Sequence, residues 1–196
     1  MKNKEIVQYF PAMLILSLLL ITNACKHSYT PKPRGYFRID FPEKKYTYYK
    51  SDCNYRFEYP VYGKITEIPD PVSEPCWINI EFPQFGGKIH ITYKRMISNL
   101  SSYSEDIRTL AYKHIVKADD IIETPVLIPG NKVFGMIYEI KGNTASSLNF
   151  YLTDSSDNFL SGALYFSAIP NKDSLAPVIS FFKTDIEHLI ETLEWK

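Results

Sequence analysis

The sequence lacks an excess of charge of either sign. Its 22 Lys and Arg residues equal its 22 Asp and Glu residues, and the formal net charge is 0. Proteins that bind phosphate backbones depend on clustered basic residues, so this balance argues against a nucleic-acid partner. The chain also lacks an apolar run of the roughly 20 residues that a membrane-spanning helix needs.

Patterns that mark enzymes and metal sites are missing too. The chain contains no Gly-x-Ser-x-Gly, His-Glu-x-x-His, Walker or Gly-x-Gly-x-x-Gly pattern, and no Cys-x-x-Cys. A hydrolase that uses Asp119, Asp120 or Asp154 remains an alternative, but no nucleophile and base can be paired for it. We therefore expect no enzymatic activity, no cofactor and no metal.

The N-terminus has the pattern of an export signal. Lys2 and Lys4 precede the ten-residue run "AMLILSLLLI", Ala12–Ile21. This run suits the core of a secretory signal peptide, and it is too short to span a bilayer. We predict that residues 1–24 are the signal peptide.

Cys25 follows this signal directly. Ala24 precedes it, and Thr22 occupies the position where the lipobox of bacterial lipoproteins usually has Leu. In a lipobox the signal is cut before the cysteine, and the sulfur receives a diacylglycerol. The alternative is ordinary cleavage after Ala24, which would leave an exposed free thiol. We predict an acyl lipid on Cys25 and a Pro-rich, basic tether over residues 25–35.

The other two cysteines are Cys53 and Cys76, and they lie 23 residues apart in strand-like sequence. Disulfides persist in the oxidising compartments that exported chains enter, so we predict that these two pair. The alternative is two buried free thiols that act as small hydrophobic residues.

Residues 36–196 are predicted to form a single domain of the α+β class. Alternating patterns such as "YFRIDF", "CWINIEF" and "KIHITYK" indicate strands, and the later strands indicate an antiparallel meander. One apolar stripe predicts a helix from about Leu100 to Ala118. A second predicts a C-terminal helix that is capped by Asp173 or Ser174 and has His188 on its solvent side. The predicted architecture is a mostly antiparallel sheet covered by two amphipathic helices.

Tyrosine is abundant between residues 46 and 62, and strand alternation cannot bury all of it on one face. Exposed tyrosine is typical of contact surfaces. An equally simple alternative is tyrosine that lies flat on a strand. The candidate partner surface consists of Tyr46, Tyr48, Tyr49 and Tyr62.

Several long stretches resemble the gliding-motility lipoprotein family GldD of the Bacteroidota. They include "YTPKPRGYFRIDFPEKKY", "EPCWINIEFPQFGGKIHITYK" and "PNKDSLAPVISFFKTDIEHLIETLEWK". The resemblance covers the chain from Tyr29 to Lys196. A looser resemblance in the order of elements is to the PsbP/Mog1-type α+β sandwich, which implies a fold and no function.

The family resemblance implies a lipid-anchored envelope protein that is needed for gliding and associated with the type IX secretion machinery. Its one transferable functional residue is the acylated cysteine, here Cys25. We expect a non-enzymatic component or assembly factor that contacts other envelope proteins of this machinery. No acidic export signal follows Cys25, so we expect the domain to face the periplasm. The alternative is a tethered periplasmic module that binds a small ligand or peptide in a pocket between sheet and helices.

Overall fold

A computed structural model describes residues 38–68, 76–96 and 100–196. Residues Ile39–Lys196 form one compact unit. The predicted signal peptide, the acylated Cys25 and the tether lie outside the described residues, so these assignments stay predictions.

The fold is built on a seven-stranded sheet in which every neighbouring pair is antiparallel. Its strand order is β4-β5-β6-β10-β9-β8-β7. The strands are β4 (Lys64–Glu67), β5 (Ile78–Phe82), β6 (Gly87–Arg95), β7 (Ala118–Ile128), β8 (Val133–Gly142), β9 (Ser146–Thr153) and β10 (Asn158–Phe166). The last four run consecutively across the sheet, as the predicted meander requires.

Two helices cover opposite faces of this sheet. Helix α1 (Leu100–Tyr112) packs on a small cluster around Ala111 and Tyr138, which includes Tyr151. Helix α2 (Lys172–Glu191) packs on the main core, which includes Phe150. Phe150 and Tyr151 are neighbours in β9, and successive strand residues point to opposite faces. The predicted α+β class, with a mostly antiparallel sheet and two helices, is confirmed.

Helix α2 begins two or three residues earlier than the sequence indicated. Asn171 is the N-cap residue, and its side chain accepts a hydrogen bond from the backbone N–H of Ser174 at 3.2 Å. The predicted caps, Asp173 and Ser174, therefore lie inside the first turn, where Asp173 also suits the positive end of the helix dipole. The buried face of α2 consists of Val178, Phe182, Asp185, Ile186, Leu189 and Ile190.

Helix α1 is shorter than predicted. It ends at Tyr112, and residues 113–117 form turns. Ala118, the predicted last helical residue, instead begins β7 and pairs with Gly142 of β8. The long pairing of β7 with β8 over ten positions outweighs the weak helical periodicity of this stretch.

The N-terminal segment, residues 38–49, also departs from the prediction. The described part of "YFRIDF" is not a strand, and the first strand is β1 (Tyr46–Tyr48). β1 pairs with β3 (Glu58–Pro60), and β2 (Tyr55–Arg56) pairs with β11 (Glu194–Trp195). Phe41 does not alternate into a sheet; its ring stacks on Phe181 of α2 at 4.4 Å. Aromatic packing on the helix takes the place of strand pairing here.

Cys53 and Cys76 form the expected disulfide, with their Cα atoms 5.7 Å apart. The bond joins the loop before β2 to the residue before Trp77 and β5. The Tyr55 hydroxyl donates to the Cys76 carbonyl oxygen at 2.8 Å and ties β2 to the same point. In the chain-entropy model, closing a loop of this length stabilises the fold by roughly 3 kcal/mol.

Candidate functional site

The most unusual side chain in the core is a carboxylate. Asp185 lies on the buried face of α2, between Phe182 and Leu189 on the apolar stripe, and it is only 1% exposed. A buried carboxylate is costly unless it is paired and hydrogen-bonded. Its surroundings must therefore supply compensating donors.

Three side chains from outside the helix supply them. The Lys44 ammonium lies 2.7 Å from Asp185 Oδ1, and the Tyr46 hydroxyl donates to the same oxygen at 3.0 Å. The Tyr62 hydroxyl donates to Oδ2 at 2.6 Å. We call Lys44, Tyr46, Tyr62 and Asp185 the Asp185 cluster. It joins the segment around β1, the turn after β3 and the C-terminal helix.

Lys44 uses its other donors in the same place. Its ammonium also donates to the Phe181 carbonyl oxygen at 2.8 Å and to the Tyr62 hydroxyl at 3.1 Å. It lies 3.3 Å from the centre of the Phe181 ring, a cation–π distance. Burial lowers the pKa of Lys44, and the bond and charge of Asp185 oppose that shift.

The two tyrosines act as neutral donors. Burial, together with the neighbouring Asp185 carboxylate, raises the pKa of both Tyr46 and Tyr62 far above the usual tyrosine range. Neither hydroxyl therefore ionises at neutral pH to become a nucleophile. Among the described residues, every buried side-chain nitrogen and oxygen has a hydrogen-bond partner. The polar side chains of the Asp185 cluster are thus hydrogen-bonded to one another within the fold.

His188 extends the Asp185 cluster. The Tyr46 ring stacks on the His188 ring with centroids 3.7 Å apart, and His188 Nε2 lies 2.7 Å from Glu58 Oε2. The sequence indicated that His188 lies on the solvent side of α2; its side chain is 29% exposed, and its ring packs on Tyr46 and binds Glu58. This places β1, β3 and α2 in a single polar and aromatic network.

The four tyrosines of the candidate partner surface do not share one environment. The hydroxyls of Tyr46 and Tyr62 bind Asp185. The ring of Tyr49 packs on those of Tyr55 and Phe57. Tyr48 is the most outward of the four, at 48% exposed. The partner surface stays a prediction, and Tyr48 is its most accessible member.

The carboxylates of the hydrolase alternative lie in two different structural elements. Asp119 and Asp120 lie at the start of β7, where Asp119 Oδ2 binds the Lys172 ammonium at 2.5 Å. Asp154 closes the β9–β10 turn and accepts the backbone N–H groups of residues 156, 157 and 158. Burial acts to raise the pKa of Asp154, but these hydrogen bonds outweigh it and lower the pKa. Its bonds are those of a turn-forming aspartate.

Open grooves lie beside the disulfide. One of 830 Å³ is lined by residues that include Tyr49, Cys53 and Trp77. Another, of 610 Å³, is lined by residues that include Tyr48, Arg56 and Lys196. These grooves lie near the disulfide and β2, away from the interface of sheet and helices that the ligand-binding alternative requires.

The described residues contain neither a cluster of metal-binding side chains nor a helix that could span a membrane. Within residues 38–68, 76–96 and 100–196, no group of three or more His, Cys, Asp or Glu side chains is arranged to hold a metal ion. No helix in the described part of the chain is both long and apolar enough to cross a bilayer.

Comparison with known proteins identifies the family. The sequence profile of the family described as "Gliding motility lipoprotein GldD" matches residues 26–195. This chain belongs to that family. The family name implies a membrane-anchored envelope protein that acts in gliding motility, as the sequence resemblance indicated. No curated protein matches this chain.

Among solved structures, the chain is similar to the solution structure of cyanobacterial PsbP (CyanoP) from Synechocystis sp. PCC 6803. The two share 11% sequence identity with a TM-score of 0.48, and the alignment covers 79% of this chain and 95% of the other.

Proposed function

We propose that this chain is a lipid-anchored envelope protein required for gliding, and that it acts as a non-enzymatic component or assembly factor of the gliding and type IX secretion machinery. The observation that carries the proposal is the family profile over residues 26–195, which begins at the residue after Cys25. The domain faces the periplasm, and its partners are other envelope proteins of that machinery.

The Asp185 cluster supports a role in holding position rather than in chemistry. Residues 38–49 are the first described part of the chain after the proposed tether. Lys44 and Tyr46 fasten this segment to Asp185, in the helix that follows the whole sheet. A force applied through the tether is therefore transmitted to α2 and the core, and it does not detach residues 38–49 by themselves.

The anchor itself is tested by the change Cys25→Ala in the full chain. We expect this variant to move from the membrane fraction to the soluble fraction, because the sulfur that carries the acyl lipid is gone. The loss should be nearly complete, since a bound acyl chain contributes about 0.8 kcal/mol per buried CH₂ group. Fractionation with mass spectrometry of the N-terminal peptide measures both location and lipid.

The matched control replaces the other two cysteines, Cys53 and Cys76, by alanine. This variant should stay in the membrane fraction, because it keeps Cys25. A Cys25→Ala protein that remains membrane-bound without lipid would contradict the anchor.

Contact with partners is tested at Tyr48. The ring is exposed, and the Arg56 guanidinium, which also binds Glu194, lies 5.8 Å from its centre, so the three side chains form an aromatic and charged surface suited to protein contact. We expect Tyr48→Ala to reduce crosslinking in intact cells to other envelope proteins of the machinery by about tenfold, the effect of a modest hot spot. Crosslinking with mass spectrometry measures this and names the partners.

Tyr165→Ala is the matched control, because Tyr165 is also an exposed tyrosine but lies on β10. It should leave the crosslinks unchanged. Equal crosslinking in all three proteins would remove Tyr48 from the partner surface, and a protein with no crosslinks in wild-type cells would contradict the proposed role in an assembly.

A further inference from the structure

Three large apolar side chains project into solvent from two loops. Val116 and Ile169 are each 89% exposed, and Ile115 is 58% exposed. Ile115 and Val116 lie in the turns between α1 and β7, and Ile169 lies in the loop between β10 and α2. We call these three residues the apolar tip. Exposed aliphatic side chains at the ends of loops are costly in water and mark interaction sites when they cluster.

The two loops are neighbours at one end of the sheet. Lys172, three residues after Ile169, binds Asp119, three residues after Val116, at 2.5 Å. The backbone N–H of Lys172 also donates to Asn143 Oδ1 at 2.8 Å, in the β8–β9 turn. The start of β7, the end of β8 and the end of β10 all meet at this end of the sheet.

The N-terminal segment runs beside α2, and its earlier residues lie toward the start of the helix. Its successive residues contact successive turns of the helix. The three pairs, in order along α2, are Phe41 with Phe181, Lys44 with Asp185, and Tyr46 with His188. Moving back along the chain from Tyr46 to Phe41 therefore leads toward the start of the helix at Lys172. That start is beside Ile169 and the apolar tip.

The tether is too short to let the domain stand far from its anchor. Twelve residues lie between Cys25 and Arg38, and the thirteen Cα–Cα steps that join the two span at most about 45 Å when fully extended. The lipid surface that holds the anchor is therefore within about 45 Å of the first described residue.

We propose that the apolar tip inserts into the interfacial region of the membrane that holds the lipid anchor. The inference rests on the proposed lipid anchor at Cys25. Lys113 and Lys117 flank Ile115 and Val116, and long basic side chains can extend toward lipid headgroups while their stems cover apolar surface. The two loops and the residues that border them carry three lysines and three aspartates in all, Lys113, Lys117, Lys172, Asp119, Asp120 and Asp173, so their formal charges cancel and the contact depends on apolar burial more than on anionic lipid. The tip thereby fixes the orientation of the domain, with the disulfide end away from the membrane.

The test uses the full, acylated chain reconstituted into vesicles of phosphatidylethanolamine and phosphatidylglycerol. Three single variants, V116C, I169C and L127C, each carry a thiol-reactive fluorophore, since Cys53 and Cys76 are paired and Cys25 is acylated. Leu127 is the matched control: it is an exposed aliphatic residue, at 71%, but lies at the opposite end of β7. Nitroxide-labelled lipid in the vesicles quenches any fluorophore that enters the bilayer, and iodide quenches any that stays in water.

Nitroxide lipid should remove most of the emission at positions 116 and 169 and leave position 127 unchanged, with iodide giving the reverse order. Equal nitroxide quenching at all three positions, or quenching at 127 alone, overturns the inference. Protection of 116 and 169 from iodide without nitroxide quenching would show that a second copy covers the tip, and this also overturns it. Vesicle flotation distinguishes failure of the tip insertion from failure of the lipid anchor. An acylated chain that floats but shows no quenching at the tip contradicts the insertion alone. A chain that does not float contradicts both the anchor and the insertion.

Discussion

Asp185→Ala is expected to lower the free energy of unfolding by about 3 kcal/mol, the lower end of the cost of breaking a buried ion pair. The lower end applies because the Lys44 side chain is 28% exposed, so water can reach part of the charge that is left without its partner. The change also leaves the hydroxyls of Tyr46 and Tyr62 without their hydrogen-bond acceptor. Urea unfolding, followed by the emission of Trp77 and Trp195, measures the loss.

Two further variants test whether the loss of stability comes from the Asp185 cluster or from removing any charge on this helix. Glu187→Gln removes an exposed carboxylate two residues away on the same helix, and it should change stability by less than about 0.5 kcal/mol. The double variant Lys44→Met with Asp185→Leu removes both charges of the pair. It should recover the part of the loss that comes from the unpaired Lys44 charge, while the hydroxyls of Tyr46 and Tyr62 stay without their acceptor. If Asp185→Ala unfolds at the same urea concentration as the wild type, the Asp185 cluster does not stabilise the fold.

Phe182→Ala is expected to cost about 3–5 kcal/mol, the usual range for a large aromatic residue in a core. Phe182 is fully buried, and its ring lies 4.2 Å from that of Phe82 on the sheet and 5.5 Å from that of Phe85. The truncation removes the ring contact of α2 with Phe82 of β5 and leaves a cavity beside both rings. Thermal unfolding by circular dichroism measures the effect.

Leu127→Ala is the control for this change. Leu127 is also a large apolar residue, but because it is mostly exposed its truncation should alter stability by less than about 0.5 kcal/mol. Phe182→Leu, which keeps most of the volume, should fall between the two. Equal stability of the Phe182 and Leu127 variants would mean that α2 is not held on the sheet through this ring.

The central strands and the C-terminal helix could be predicted from the sequence because their patterns are local. Ile89 and Ile91 alternate with polar residues in β6, and both are buried as the alternation requires. The stripe from Val178 to Leu193 has the period of one helix face, and all of its members are buried except Ile179, which is half-buried. In both cases the hydrophobic period alone determines which side chains face the core.

The Asp185 cluster was not predicted, although the unusual position of Asp185 itself can be seen in the sequence. Asp185 lies three residues after Phe182 and four before Leu189, on the apolar face of the helix, where a carboxylate needs buried partners. That position could have marked it. Its partners could not have been found this way, because Lys44 lies 141 positions earlier in the chain and no local pattern links the two.

The failed predictions have a common cause, which is tertiary structure that overrides a weak local signal. Residues 38–41 alternate like a strand, but Phe41 stacks on Phe181 and the backbone has no strand to pair with. Helix α1 has a helical period to Ala118, but the stretch from there onward pairs with β8. Neither the stacking partner nor the pairing partner is contained in the stretch itself.

The long separation within the Asp185 cluster also sets the order of events as the chain folds. The bonds from Lys44 and Tyr46 to Asp185, and the pairing of β2 with β11, need the last residues of the chain. Closing a loop of this length is slow, so we expect these contacts to form after those of the sheet meander between them. On the export route that we propose, residues 38–49 would then be fixed to the domain only once the C-terminal helix has formed.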